Sequence, residues 1–168
     1  MKFVFVQSLM ILAIFLCSNT TYAKSQKSGD DIFYKKTFDL GLSSGTINNQ
    51  SYTEIDLGLN LYFNPYFDFR NALFGRFGSG TQNFFGLDSS ARGVYSADLS
   101  GFGFTAFAGP GMRFPSQGNV TPFIEGGLVM KAPGIGIGVG AKAIENSWVS
   151  SLPNETQIFI ILSGGGEL

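Results

Sequence analysis

Thr53-Glu-Ile-Asp-Leu-Gly-Leu-Asn-Leu-Tyr-Phe63 alternates without interruption. One face of this stretch carries Thr53, Ile55, Leu57, Leu59, Leu61 and Phe63; the other carries Glu54, Asp56, Gly58, Asn60 and Tyr62. A period of two residues belongs to an extended strand whose two faces meet different surroundings. The same division recurs along the chain. Phe67, Phe69, Leu73 and Phe77 oppose Asp68, Arg70, Ala72, Phe74 and Arg76. Leu87, Ala91, Tyr95 and Ala97 oppose Asp88, Ser90, Arg92 and Ser96, and Phe38, Leu40 and Leu42 oppose Thr37, Asp39 and Gly41. Val120, Pro122, Ile124, Leu128 and Met130 oppose Thr121, Phe123, Glu125 and Gly127.

Working outward from these, eight segments are expected, over 34–44, 51–63, 66–78, 84–97, 101–114, 119–131, 134–145 and 155–168. Between them lie stretches rich in Gly, Asn, Pro and Ser: 45–50, 64–65, 78–81, 98–101, 115–118, 132–133 and 146–154. Most of these segments are long for strands of a soluble sheet, which cluster at about 5–6 residues. A strand crossing a bilayer at a tilt needs about 9–11.

The charges decide the environment. Every strand-central charge falls on the mixed face, none on the apolar one. A water-soluble barrel would be arranged the other way round. The apolar face is therefore expected to meet lipid and the mixed face a lumen. Closure follows, because an open sheet edge in hydrocarbon leaves backbone groups unpaired at several kcal/mol each. The fold class expected is all-β: an eight-stranded antiparallel up-and-down transmembrane β-barrel, with room inside for little more than side chains.

Composition agrees with this class. The chain has 168 residues, 44% hydrophobic, with 23 glycines and 18 phenylalanines. Charged residues are only 14% against a norm of about 25%. The net charge of −1, with no basic stripe, argues against nucleic acid as a partner. There is no histidine, which excludes Ser-His and Cys-His catalysis and removes the commonest metal ligand.

Residues 1–23 read as a cleaved signal peptide: Lys2, an apolar run from Phe3 to Cys17, then polar residues up to Tyr22-Ala23. The run is short for a membrane anchor, which needs about 20 residues. Bulky Phe15-Leu16 before Cys17 does not suit lipidation. Cleavage would leave no cysteine and a formal charge of −2, from ten basic and twelve acidic residues. Residues 24–33 form a short polar lead-in, and 34–168 the barrel domain.

The inward set includes Asp39, Glu54, Asp56, Asp68, Asp88 and Glu125 with Arg70, Arg76, Arg92, Arg113 and Lys142. In so narrow a lumen these charges must pair, since an isolated buried charge is costly. A salt-bridged filling is the expectation, with Arg76 between Glu54 and Asp88. An ion path is the alternative. Gly134, Gly136, Gly138 and Gly140 are expected to make room for long Arg and Lys side chains from other strands. The formal G-x-G-x-x-A match over Gly136–Ala141 lacks the βα unit that would give it meaning. Aromatic residues are expected as two girdles, Tyr34, Phe63, Tyr66, Phe67 and Phe102 at one level and Phe77, Phe84, Phe85, Phe114 and Trp148 at the other.

With its leader, eight alternating segments and charged interior, the chain resembles the small outer-membrane barrels of Gram-negative bacteria (porin-like, OmpA/OmpX-type families). Asn64-Pro-Tyr-Phe-Asp-Phe-Arg70, Phe104-Thr-Ala-Phe-Ala-Gly-Pro-Gly111 and Pro122-Phe-Ile-Glu125 are similar to strand segments common in them. The resemblance implies location in the cell outer membrane, lipid and the outer-membrane assembly machinery as partners, and a monomeric state. It implies a structural or cell-surface interaction role, with no cofactor, metal or catalytic residue. A small pore for ions or solutes is the alternative. A soluble periplasmic, lipocalin-like ligand-binding barrel is the second. Enzymes among such barrels use a histidine, so enzymatic activity is not expected.

Overall fold

The computed structural model describes residue 33 and residues 35–78, 83–99, 102–148 and 153–164. Eight strands follow one another: β1 (Lys35–Ile47), β2 (Gln50–Asn64), β3 (Phe67–Gly78), β4 (Phe84–Leu99), β5 (Phe102–Pro115), β6 (Thr121–Ala132), β7 (Ile135–Ile144) and β8 (Glu155–Gly164). Each pairs antiparallel with the next, and β8 returns to β1 from Asp39↔Ser163 to Thr46↔Thr156. The sheet is a closed up-and-down barrel. The expected leader (1–23) and most of the lead-in (24–33) lie outside the described residues, as do Tyr34 and 165–168.

Alternation places the apolar face outward. Leu73 is 65% exposed and Ile158 68%, whereas their lumen-facing neighbours Ala72 and Gln157 are at 0% and 1%. Among the described strand residues with an assigned exposure, the outer wall carries no charge except Lys36, the second residue of β1.

Two connections differ from the expected loops. The 45–50 stretch is not a loop, because Ile47 pairs with Gln50 and only Asn48-Asn49 turn. Both have positive φ, 50° and 61°, the requirement of a type I′ hairpin, whose twist suits the flanking strands. Asparagine tolerates this left-handed region and β-branched residues do not. Asn48→Val is accordingly expected to destabilise the barrel by about 1–2 kcal/mol, read from denaturant unfolding, whereas Asn49→Gly should not. At Ala132↔Ile135 the connection is Pro133-Gly134, with Gly134 at φ 83°. Proline then glycine is the type II arrangement. Gly134 is therefore a turn residue and not part of the inward stripe of β7.

The β2–β3, β4–β5 and β6–β7 connections lie at the end of the barrel where β1 starts and β8 finishes, here the turn end. The opposite, loop end carries the longest connection, between β7 and β8, with a single 3₁₀ turn at Asn146–Trp148. Exposed aromatics ring both ends, Phe63, Tyr66, Phe67 and Phe102 at the turn end and Phe77, Phe85 and Phe114 at the loop end. Phe33, Phe63 and Phe67 pack in series with tilted rings, at 5.2 and 5.9 Å between centroids. Phe84 departs from the girdle. It is paired with Arg76 and faces the lumen, its ring edge-on to Phe74 at 5.8 Å.

Candidate functional site

The lumen is the only part of the described molecule where charges concentrate, and strand register explains how they meet. Four acid–base couples are direct cross-strand partners: Glu54↔Arg76, Asp68↔Arg92, Asp88↔Arg113 and Glu125↔Lys142. Opposite charges facing each other on neighbouring strands stabilise a sheet locally. In the first three the two side chains bond directly. Arg76 Nε donates to Glu54 at 2.6 Å, and Arg92 forks onto both oxygens of Asp68 at 2.8 and 2.6 Å. Arg113 forks onto Asp88 at 2.8 and 2.7 Å.

Further bonds cross the lumen and join these couples. Arg113 also donates to both oxygens of Glu54, at 2.9 and 2.8 Å, tying β5 to β2. Lys142 reaches Asp88 at 2.7 Å and stands 3.8 Å from Glu125, which is held by the Ser90 hydroxyl at 2.6 Å. Arg92 lies 3.8 Å from the same Glu125. Arg70 bridges Asp39, at 2.6 Å, and Asp56. Asn60 joins that triad to the rest, donating to Asp39 at 2.7 Å and accepting from Arg92 at 2.6 Å.

All eleven residues singled out above, Asp39, Glu54, Asp56, Asp68, Arg70, Arg76, Asp88, Arg92, Arg113, Glu125 and Lys142, face the lumen. Ten are at most 5% exposed, and the Asp56 side chain is 12% exposed. The expected placement of Arg76 between Glu54 and Asp88 needs correction. Register sets Asp88 opposite Ala72, four residues along β3 from Arg76, while Arg76 faces Phe84. The second carboxylate on Arg76 is Glu155, at 2.7 Å.

Glu155 is a buried lumenal acid that the sequence reading missed. It is 5% exposed and accepts from Arg76, from the Tyr52 hydroxyl at 2.6 Å and from Asn146 at 2.8 Å. Asn146 also donates to the Pro153 carbonyl at 2.9 Å, pinning the β7–β8 connection across the loop end. The signal was present, since Glu155 and Gln157 share one face of β8 while Ile158, Ile160 and Leu162 occupy the other.

Aromatic faces back the cations. Arg76 lies 3.7 Å from the Tyr52 ring centroid, Arg113 4.0 Å from Phe74, Arg92 4.6 Å from Phe107 and Lys142 4.8 Å from Phe123. Such contacts gain strength when desolvated. Gly138 and Gly140 of β7 serve a different end from the one expected. A side chain at Gly140 would strike the Phe159 ring, and one at Gly138 would strike Val129. They make room for apolar groups. It is Gly58, on β2, that leaves space for Arg70 and Asp39.

The plug and the empty space divide the lumen. A cavity of about 340 Å³ opens at the turn end. Beyond it a second void of about 10 Å³ lies among Asp56, Arg70, Glu125 and Lys142, which is room for about one water. Among the described residues no group of three acidic, cysteine or histidine side chains is arranged to hold a metal.

The structure resembles that of de novo designed transmembrane β-barrels, with TM-score 0.54 and 12% identity over 76% of this chain and 93% of that one. It also resembles the outer membrane enzyme PagL, with TM-score 0.55 and 11% identity over 74% of this chain and 97% of that one. Neisserial surface protein A gives a TM-score of 0.49 and 9% identity over 77% and 94%. At these identities the likeness is one of fold. No family model and no curated protein matches the chain. The class defined by fold and lumen is the eight-stranded barrel of transmembrane type with an ionic interior.

Proposed function

We propose that this chain is an integral outer-membrane β-barrel protein, exported through a cleaved leader, with a structural or cell-surface interaction role. The observation that carries this reading is the inverted polarity of the wall. Leucine, isoleucine, valine and phenylalanine side chains face outward, and the eleven charged residues discussed above face inward together with Glu155. A barrel with its charges inside and its apolar residues outside has its lowest free energy with the wall in hydrocarbon. The end at which β1 starts and β8 finishes then faces the periplasm, and the longer connections face the cell exterior.

The ionic plug argues for little or no conduction, and among the described residues the pairing of each lumenal carboxylate with a cation within 4 Å argues against catalysis. A general acid or base needs a carboxyl free to exchange its proton with a substrate. Lipid and the outer-membrane assembly machinery are the partners this reading requires, with the barrel acting as a monomer.

Two measurements test it. The mature protein should begin at Lys24 and fractionate with outer membranes; N-terminal sequencing that finds Met1 retained would overturn the leader. Purified protein in planar bilayers should give small, intermittent conductance. Large steady steps would instead support the pore reading.

A further inference from the structure

The hydrogen bonds of the plug fall into two sets. Toward the turn end, Arg70 holds Asp39 and Asp56, Arg92 holds Asp68, and Asn60 ties Arg92 to Asp39. Toward the loop end, Arg76 and Arg113 share Glu54, Arg76 reaches Glu155, and Asp88 takes both Arg113 and Lys142. Among the described residues no side-chain hydrogen bond crosses from one set to the other. The two approach at Glu125, which lies 3.8 Å from Arg92 on one side and 3.8 Å from Lys142 on the other. Both separations are too long for a hydrogen bond. Polar groups held at such a distance are commonly bridged by water.

The void of about 10 Å³ lies at this seam, with Asp56, Arg92, Glu125 and Lys142 on its wall. Each of the four keeps bonding capacity there. Lys142 has three N–H donors and gives one hydrogen bond, to Asp88. Arg92 uses Nε and Nη2 on Asp68 and Asn60, which leaves Nη1 with only the long approach to Glu125. Glu125 accepts from Ser90 through Oε1, while Oε2 has only the long approach to Lys142. Asp56 is bonded through Oδ1, to Arg70.

Two donors and two acceptors around room for one small molecule match water, which donates twice and accepts twice. The volume and the number of partners both meet what a buried water requires. A hard cation would need a shell of six or more oxygens, whereas Arg70, Arg92 and Lys142 all border this void. An anion would face the Asp56 and Glu125 carboxylates.

We infer that the void is a site for one water molecule, which accepts from Lys142 and Arg92, donates to Glu125 and Asp56, and so joins the two halves of the plug. The inference goes beyond the proposed role and needs only the lumen, whatever lies outside the wall.

The test exposes the full chain, folded in lipid nanodiscs, to an X-ray beam that splits water into hydroxyl radicals, and maps oxidised residues by mass spectrometry. A trapped water oxidises the side chain beside it, even where bulk solvent has no access. Phe159 is 6% exposed and lines this void but not the larger cavity; Phe74 is 3% exposed and lines neither. Oxidation of Phe159 with Phe74 spared is the expected result. Glu125→Leu combined with Lys142→Leu exchanges a facing pair for apolar side chains and should abolish the Phe159 signal. Glu125→Gln keeps an acceptor and should retain it. Heat-modifiable electrophoretic mobility verifies that each variant is folded. An unoxidised Phe159 in the unaltered chain, or a signal that survives the double leucine variant, would overturn the inference. Equal oxidation of Phe159 and Phe74 would do so too, because the lumen would then be wet throughout. A crystal structure that orders internal water gives a check without any variant: one water within about 2.7–3.2 Å of Lys142 Nζ and Glu125 Oε2 is expected, and a direct Lys142–Glu125 bond that closes the void is the contrary outcome.

Discussion

Arg113→Ala is expected to destabilise the barrel by about 3–5 kcal/mol, the cost of removing one partner from a buried ion pair. Arg113 is 3% exposed and contributes four hydrogen bonds, two to Asp88 on the neighbouring strand and two to Glu54 across the lumen. Its loss leaves Asp88 with Lys142 alone and Glu54 with Arg76 alone. It also uncovers the face of Phe74. Two carboxylates would then lose compensation in a space too narrow to hydrate them.

The pair Arg113→Ala with Asp88→Asn should recover part of that loss, because it removes one of the stranded charges. Arg113→Lys should recover less than a conservative substitution normally does, because an ammonium cannot fork onto two carboxylates at once. Denaturant titration in phospholipid vesicles reads all three. If Arg113→Ala costs under about 0.5 kcal/mol, the figure for a surface substitution, the lumen is hydrated and the plug does not exist as described.

Strand alternation made the architecture legible because a half-polar lumen and an apolar wall impose different residues on the two faces of each strand. That worked best where the contrast was strongest, in β2 and β3. The two faces contrast less on β5 and β8, where Phe107, Phe159 and Ile161 face inward as apolar residues, although both segments are legible as strands. The apolar contribution of those two strands to the lumen was hidden for that reason. Ion pairing between adjacent strands follows from register, and register needs turn lengths. Reading 45–50 as a loop concealed the tight Asn48-Asn49 turn that fixes Ser43 opposite Glu54. Contacts across the lumen, such as Arg113 with Glu54 and Arg76 with Glu155, depend on curvature and shear of the closed barrel. No local pattern encodes those.

Leu73→Arg separates water from lipid outside the wall. Sequence alone left this open, since a leucine on the apolar face of a strand could have pointed into a dry core. The structure removes that choice: Leu73 is 65% exposed, at mid-height on the outer wall, between Leu57 on β2 and Leu87 on β4. If water lies outside, an arginine here is an ordinary surface substitution, worth within about 0.5 kcal/mol. If hydrocarbon lies outside, the charge near the bilayer midplane costs about 2–4 kcal/mol, falling to about 0–1 near the interfaces. Tyr66, 72% exposed in the turn-end aromatic ring, supplies the interfacial comparison. The expected result is therefore a depth profile, with Leu73→Arg strongly destabilising and Tyr66→Arg nearly neutral in vesicle unfolding titrations. Equal small effects at the two positions would mean that the wall meets water, and the outer-membrane assignment would fall with it.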